Sequence, residues 1–146
     1  GGRPRMDSEE LESLFFKAQD SQDASLRARL FSQITSTVPT DDPGRIVSSA
    51  AHNCQAELKI DEAIALGFPM TAQDDATVLE ARRRLRQALK LWPDNAQAAM
   101  SLALLERDCG HAERALELWT AVAALEAAAA EEEQGEEADE ANAWAE

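Results

Sequence analysis

Residues 91–126, LWPDNAQAAMSLALLERDCGHAERALELWTAVAALE, constrain the fold more than any other stretch, because they read as two helices folded back on each other. Pro93-Asp94-Asn95 punctuates the start of the first helix. Asp94 or Asn95 can cap it, since each offers a side-chain oxygen to the free N–H groups of the first turn. Cys109-Gly110-His111 separates the two helices, with Gly110 free to adopt the left-handed conformation that ends a helix. Ala99, Leu102, Ala103 and Leu105 or Glu106 recur at spacings of three and four, one face of the first helix. Ala112, Ala115, Leu116, Trp119, Val122 and Ala123 do the same on the second. Small residues at Ala103 and Ala115 suit a close crossing, and Trp119 one turn later fills the gap. So short a turn makes the two helices antiparallel neighbours.

These residues carry a family pattern. The stretch resembles a tetratricopeptide repeat (TPR), a helix-turn-helix unit of about 34 residues. Leu102-Ala103 stand where the family has its Leu-Gly pair. Gly110 stands at the turn, Ala115 at the small position early in the second helix, and Trp119 and Val122 at its aromatic and second small positions. Pro93 matches the proline that closes the preceding repeat. Ala81, Leu85, Ala88, Leu89 and Leu91 carry the second-helix pattern 34 residues ahead of Ala115, Trp119, Val122, Ala123 and Leu125. The chain departs from the family at Ala99 (for Trp), at Glu106 (for an aromatic) and at Val122, larger than the usual Ala. The match runs from Ala76 to Leu125. The resemblance implies an all-α fold of about six helices, with antiparallel helical hairpins stacked as a short TPR-like solenoid. It also implies a concave groove lined by the first helix of each pair, here by Gln97, Met100, Leu104, Arg107 and Asp108. Relatives that clamp a chaperone's C-terminal carboxylate carry Asn and Lys at such places. Met100 and Leu104 here point instead to an apolar or helical ligand, Met being an adaptable contact residue; packing against the preceding hairpin would use them equally well.

The length of 146 residues suits one domain. Residues 1–6, with Gly1-Gly2-Arg3-Pro4-Arg5 ahead of Met6, read as a disordered, non-native leader; residues 7–130 read as the helical domain, and 131–146 as a disordered acidic tail. The first residues show no secretory signal pattern. No apolar run approaches the length that crosses a bilayer, about 20 residues. The net charge is −14, with nine acids and no base in residues 126–146 against 19 acids and 14 bases before them. This acidity argues against nucleic acid, whose phosphates demand a basic surface. Cys54 and Cys109 are too few for a disulfide framework, which suits a reducing cytoplasmic setting, or a nuclear one.

Taken in order, Asp7 or Ser8 caps a first helix striped with Leu11, Leu14, Phe15 and Ala18. Asp20-Ser21 breaks or bends it before a second stripe of Leu26, Leu30, Phe31 and Ile34, which Pro39 stops. Asp42 reads as the cap of a third helix, with Pro43 in its first turn. That helix presents Val47, Ala51, Cys54, Leu58 and Ala65, widened by Ile46, Ile60 and Ile64, and ends at Gly67. Phe68-Pro69-Met70 is an apolar connector expected against the core, and Thr71–Asp74 a helix start. The fourth helix turns Val78, Ala81, Leu85, Ala88 and Leu89 inward. Three hairpins result, 8–38, 45–91 and 96–130. Ala127–Gln134 extends the last helix as a solvated rod, and disorder is expected beyond Gly135.

No nucleophile motif, phosphate loop or paired acid and histidine is present, so no catalytic residue and no cofactor are assigned and the chain reads as a non-enzyme. His52, Cys54, Cys109 and His111 are a zinc-compatible set. His52 and Cys54, two apart on a helix, diverge, so no metal is assigned. Arg82, Arg86 and Lys90, spaced by four, form a basic stripe suited to an acidic segment of a partner or of the chain's own tail, or simply a solvated face. Trp144, in an otherwise polar tail, is a candidate docking residue. The expectation is a protein-binding module of the adaptor, scaffold, co-chaperone or assembly-factor kind, with a protein or peptide partner, no nucleic acid and no membrane. The alternative is a structural subunit of a larger complex whose hairpins stack on another chain.

Overall fold

The computed structural model describes residues 2–67 and 76–145, and among them the chain is all-helical with six helices. They are α1 (Ser8–Asp20), α2 (Ala24–Thr35), α3 (Asp42–Ala65), α4 (Ala76–Leu91), α5 (Ala96–Asp108) and α6 (Ala112–Ala145). Two short strands, β1 (Arg5–Met6) and β2 (Val38–Pro39), pair in parallel. Residues 3–6 are therefore held, not loose as expected. Arg3 adds bonds to the carbonyls of Thr35 and Ser36, and Met6 packs against the core. The apolar connector 68–70 and the helix start at 71–74 lie outside the described residues.

Side-chain caps define the helix starts. Asp7 accepts from the Glu10 N–H, and Asp23 from those of Ser25 and Leu26, which ends α1 and begins α2 across a three-residue break. The α3 cap is Asp41, one residue before the expected Asp42. Its carboxylate accepts from Gly44 at 2.7 Å and from the Ser8 N–H at 3.2 Å, so one side chain anchors the starts of α3 and α1. A β-carbon at Gly44 would lie 2.8 Å from that carboxylate and 3.2 Å from Leu11, so the close approach requires glycine. Gly67 and Gly110 take positive φ, 79° and 87°, at the ends of α3 and α5. At Gly110 the bonds His111 N–H to Glu106 O and Gly110 N–H to Arg107 O close a Schellman turn.

Two apolar clusters form the interior. The first joins α1, α2 and the front of α3 through Leu11, Ala18, Leu30, Phe31, Ile34 and Ala51, with Phe15 edge-on to Phe31. The second joins the back of α3 to α4 and α5 through Ala56, Val78, Leu85, Leu102 and Leu105, with Leu118 of α6 packed against it. A polar seam runs between α3, α4 and α5. Ser49 donates to the Ala88 carbonyl and accepts from Asn95, whose oxygen caps α5 at Ala98. Asn95 thus caps one helix and ties it to another, and Ser49 near the start of α3 meets Ala88 near the end of α4, so this pair is antiparallel. The apolar stripe expected on α3 is only partly inward. Ile46, Leu58 and Ile64 are exposed, while Ser48, Ser49, His52 and Asn53 are buried against the neighbouring helices.

α6 continues without a break through Gly135 to Ala145, where the sequence predicts a disordered tail. Every residue from 126 to 144 is exposed. Ala and Glu are strong helix formers and sustain the helix by local propensity alone. Among the described residues no helix is long and apolar enough to cross a membrane.

Candidate partner-binding cleft and ion cluster

Arg82 does not join the exposed stripe expected of α4. It is 8% exposed and its Nε donates to Glu106 Oε1 at 2.7 Å. A guanidinium nitrogen also lies 3.1 Å from the Cys109 thiol. Glu106, 2% exposed, is in contact with two further cationic or protonatable groups: His111 Nδ1 at 2.7 Å and Arg114 at 3.6 Å. Burial pushes the Glu106 carboxyl up, but the hydrogen bonds and charges of His111 and Arg82 outweigh it and hold the carboxyl below its ordinary 4.5. One carboxylate therefore joins α4, α5, the α5–α6 turn and the first turn of α6. Glu106 occupies the place where the resembled family has an aromatic. It departs from that pattern; its burial follows from its lying in register with Ala99, Leu102 and Ala103, and a basic residue at the matching depth of α4 is the only signal of its partner.

A cleft of about 290 Å3 opens between the C-terminal half of α3 and the outer face of α5. Ile60 and Ile64 form one wall, Leu104 and Leu105 the other, and Glu57, Asp61, Arg107 and Asp108 the rim. Ile64 is 62% exposed, and Leu104 is exposed as well. Of the residues expected to line a groove, Leu104, Arg107 and Asp108 do so. Gln97 and Met100 lie on the same helix, exposed and outside this cleft. Arg107 is engaged already: it donates to Asp108 at 3.2 Å and lies over the Trp119 ring at 6.0 Å. Among the described residues the rim charges without an ionic partner are Glu57, which accepts from Asn53 at 3.2 Å, and Asp61. Trp119 is half-buried, not enclosed as its register predicts, and Leu116 is exposed.

The basic face that α4 does present runs through Leu79, Arg83, Arg86 and Lys90, all exposed and lining a shallow depression floored by Arg82. Glu80 accepts from Arg83 and from Arg84. The bond from Arg83, first of all, draws the Glu80 carboxyl below its ordinary value. Among the described residues neither Arg86 nor Lys90 has an acid within ion-pair range. Arg84 also approaches His52 Nδ1 at 3.4 Å. Burial, then the charges of Arg84 and its neighbours, lowers the His52 pKa to about 4, so the ring is neutral at pH 7.

Cys54 packs against the first apolar cluster, where burial pushes its thiol to about 11, far from a nucleophile's range. Cys109 is buried beside Arg82. His111 is committed to Glu106 and His52 to Arg84, so the histidines and cysteines belong to separate structural contacts. Among the described residues no group of three or more His, Cys, Asp or Glu is placed to hold a metal ion. A scan against family models, a comparison with curated proteins and a comparison with solved structures each find no match for this chain.

Proposed function

We propose that the chain is a non-catalytic protein-interaction module whose α3–α5 cleft takes a short amphipathic helix or peptide with basic flanks. The supporting observation is the pairing of exposed apolar walls, Ile64 and Leu104, with a rim on which Glu57, bonded only to the neutral Asn53 amide, and Asp61 have no cationic partner among the described residues. An apolar stripe on a partner helix would fill the cleft, and Lys or Arg beside it would meet those acids. The TPR-like pattern of residues 76–125 favours the same class of role, of the adaptor, co-chaperone or assembly-factor kind. Two free cysteines suit a cytoplasmic or nuclear setting.

The test uses two synthetic helices with one apolar face in common, one flanked by Lys and the other by Glu. The Lys-flanked helix should shift the methyl signals of Ile60, Ile64 and Leu104 and lose binding on Leu104→Asp. Equal binding of both helices, or shifts confined to other elements, refutes the cleft as the site. The reading of a structural subunit draws on Leu116, 65% exposed on the last hairpin. It predicts that native partners are lost on Leu116→Asp and retained on Leu104→Asp.

A further inference from the structure

The exposed face of α4 and the exposed end of α6 carry matching patterns of opposite charge. On α4, Leu79, Arg83, Arg86 and Lys90 are spaced by four, three and four, and all four side chains are exposed. On α6, Glu133, Glu137, Glu140 and Trp144 follow the same spacing, and all four are exposed. Residues at such spacings share one helix face. Laid antiparallel, the two faces fall into register from end to end: Trp144 on Leu79, Glu140 beside Arg83, Glu137 beside Arg86, Glu133 beside Lys90. Each stripe spans 12 residues, roughly 16 Å of helix from first to last. Trp144, 90% exposed, would cover Leu79, the exposed apolar residue at the edge of the α4 depression.

The stripes do not meet within one molecule. α6 is one unbroken helix from Ala112 to Ala145, and nothing from residue 126 to residue 144 is covered. Among the described residues no acid lies within ion-pair range of Arg86 or Lys90, whereas Arg83 and Arg84 share Glu80. We infer that the acidic end of α6 docks antiparallel on the basic face of α4 in a second copy of this chain, with Trp144 seated on Leu79. Two such contacts related by a twofold axis close a dimer; repeated head to tail, they build an open chain. The inference is independent of the α3–α5 cleft, which lies on other faces.

The experiment follows the mass of the full-length chain by sedimentation velocity over a concentration series. At about 0.01 M salt, where charges act over ~30 Å, concentration-dependent association is expected, and about 1 M salt should weaken it tenfold or more. Two full-length variants reverse one side each: Arg86→Glu with Lys90→Glu, and Glu133→Lys with Glu137→Lys. All four positions are exposed, so helical content by circular dichroism should be unchanged. Each variant alone should be monomeric, the two mixed should associate, and all four changes in one chain should restore self-association. Trp144→Ala should weaken the wild-type contact about tenfold. A wild-type chain that stays monomeric at low salt overturns the inference, as does association indifferent to both reversals. Monomers in which reversing Glu133 and Glu137 shifts the amides of 82–90 would place the contact within one chain and overturn it equally.

Discussion

Glu106 and Glu137 are both helical glutamates, each matched by an arginine of α4, yet they stand in opposite regimes. Glu106 sits among Arg82, His111 and Arg114 with almost no solvent. Glu137 stands on a helix end whose described residues are all exposed. Within α4 the same contrast separates Arg82 from Arg86, one turn apart, the first buried and the second exposed. The difference shows where charge matters to this fold. A buried charge has lost its water and depends wholly on its partner, so removing one member is far costlier than the pair's net contribution suggests. An exposed charge keeps its water, and its ion pairs contribute about 0–1 kcal/mol.

The largest effect should come from splitting the buried pair. Glu106→Ala leaves Arg82 enclosed without its carboxylate and should destabilise by about 3–5 kcal/mol. At ~2–4 °C per kcal/mol for a chain of this size, thermal denaturation should show a drop of roughly ten degrees. Replacing both members, Arg82→Met with Glu106→Leu, should recover most of the loss. A double variant as unstable as Glu106→Ala would mean that His111 and Arg114, not Arg82, carry the coupling.

Acid should widen the contrast between buried and exposed groups. His52 is neutral in the fold with its pKa lowered to about 4, whereas the unfolded chain protonates it near 6.5. Between those values the unfolded state binds more protons. Stability is therefore complete above about pH 6.5 and falls as pH drops toward 4. Glu106, held below 4.5, contributes stability above its unfolded value that is lost as pH falls through its folded one. His52→Gln removes the first component alone and should flatten the slope of thermal midpoint against pH between 6.5 and 5. An unchanged slope would place that proton elsewhere.

Much of this architecture is legible in the sequence, and the failures on α3 and α4 have one origin. Periodicity identifies the buried faces of α1, α2, α4 and α5, because Leu, Phe and Ala recur at helical spacing there. It fails on α3, where Ser48, Ser49, His52 and Asn53 face inward and Ile46, Leu58 and Ile64 face out. Polar residues can be buried when another helix supplies hydrogen-bond partners, as Ala88 and Asn95 do for Ser49. That supply is a tertiary fact no local pattern contains. The same holds for Arg82, which local spacing groups with Arg86 and Lys90. Of the cleft, the resemblance implies Leu104, Arg107 and Asp108, together with Gln97 and Met100, which lie outside it, and the opposite wall of Ile60 and Ile64 depends on how α3 lies.

Trp119 sharpens the comparison at an intermediate depth. A register that encloses it predicts a loss of roughly 3–5 kcal/mol for Trp119→Ala. Half-buried under the Arg107 guanidinium, it should cost less, about 1–2 kcal/mol, from partial burial and the cation–π contact. Arg107→Gln should remove part of the same energy, so the double variant should be less destabilised than the sum of the singles. Strict additivity in denaturant titrations would show that the ring and the guanidinium do not interact.

The smallest global effect belongs to the end of α6, and its size is what makes it informative. Gly135 lies inside this helix with nothing within 4 Å of where a β-carbon would be, so alanine fits without any clash. Alanine favours the helical state over glycine by about 1 kcal/mol. In a segment fastened to the core this gain would appear in the cooperative unfolding transition. Residues 126–144 are all exposed, so Gly135→Ala should leave the thermal midpoint of the monomer unchanged and slow amide exchange only locally, around residues 131–145. A rise in the global midpoint of the monomer would show that the end of α6 is coupled to the core. A rise that appears only at high protein concentration and low salt would instead reflect the α6–α4 contact between copies, because a stiffer acidic helix loses less entropy on docking.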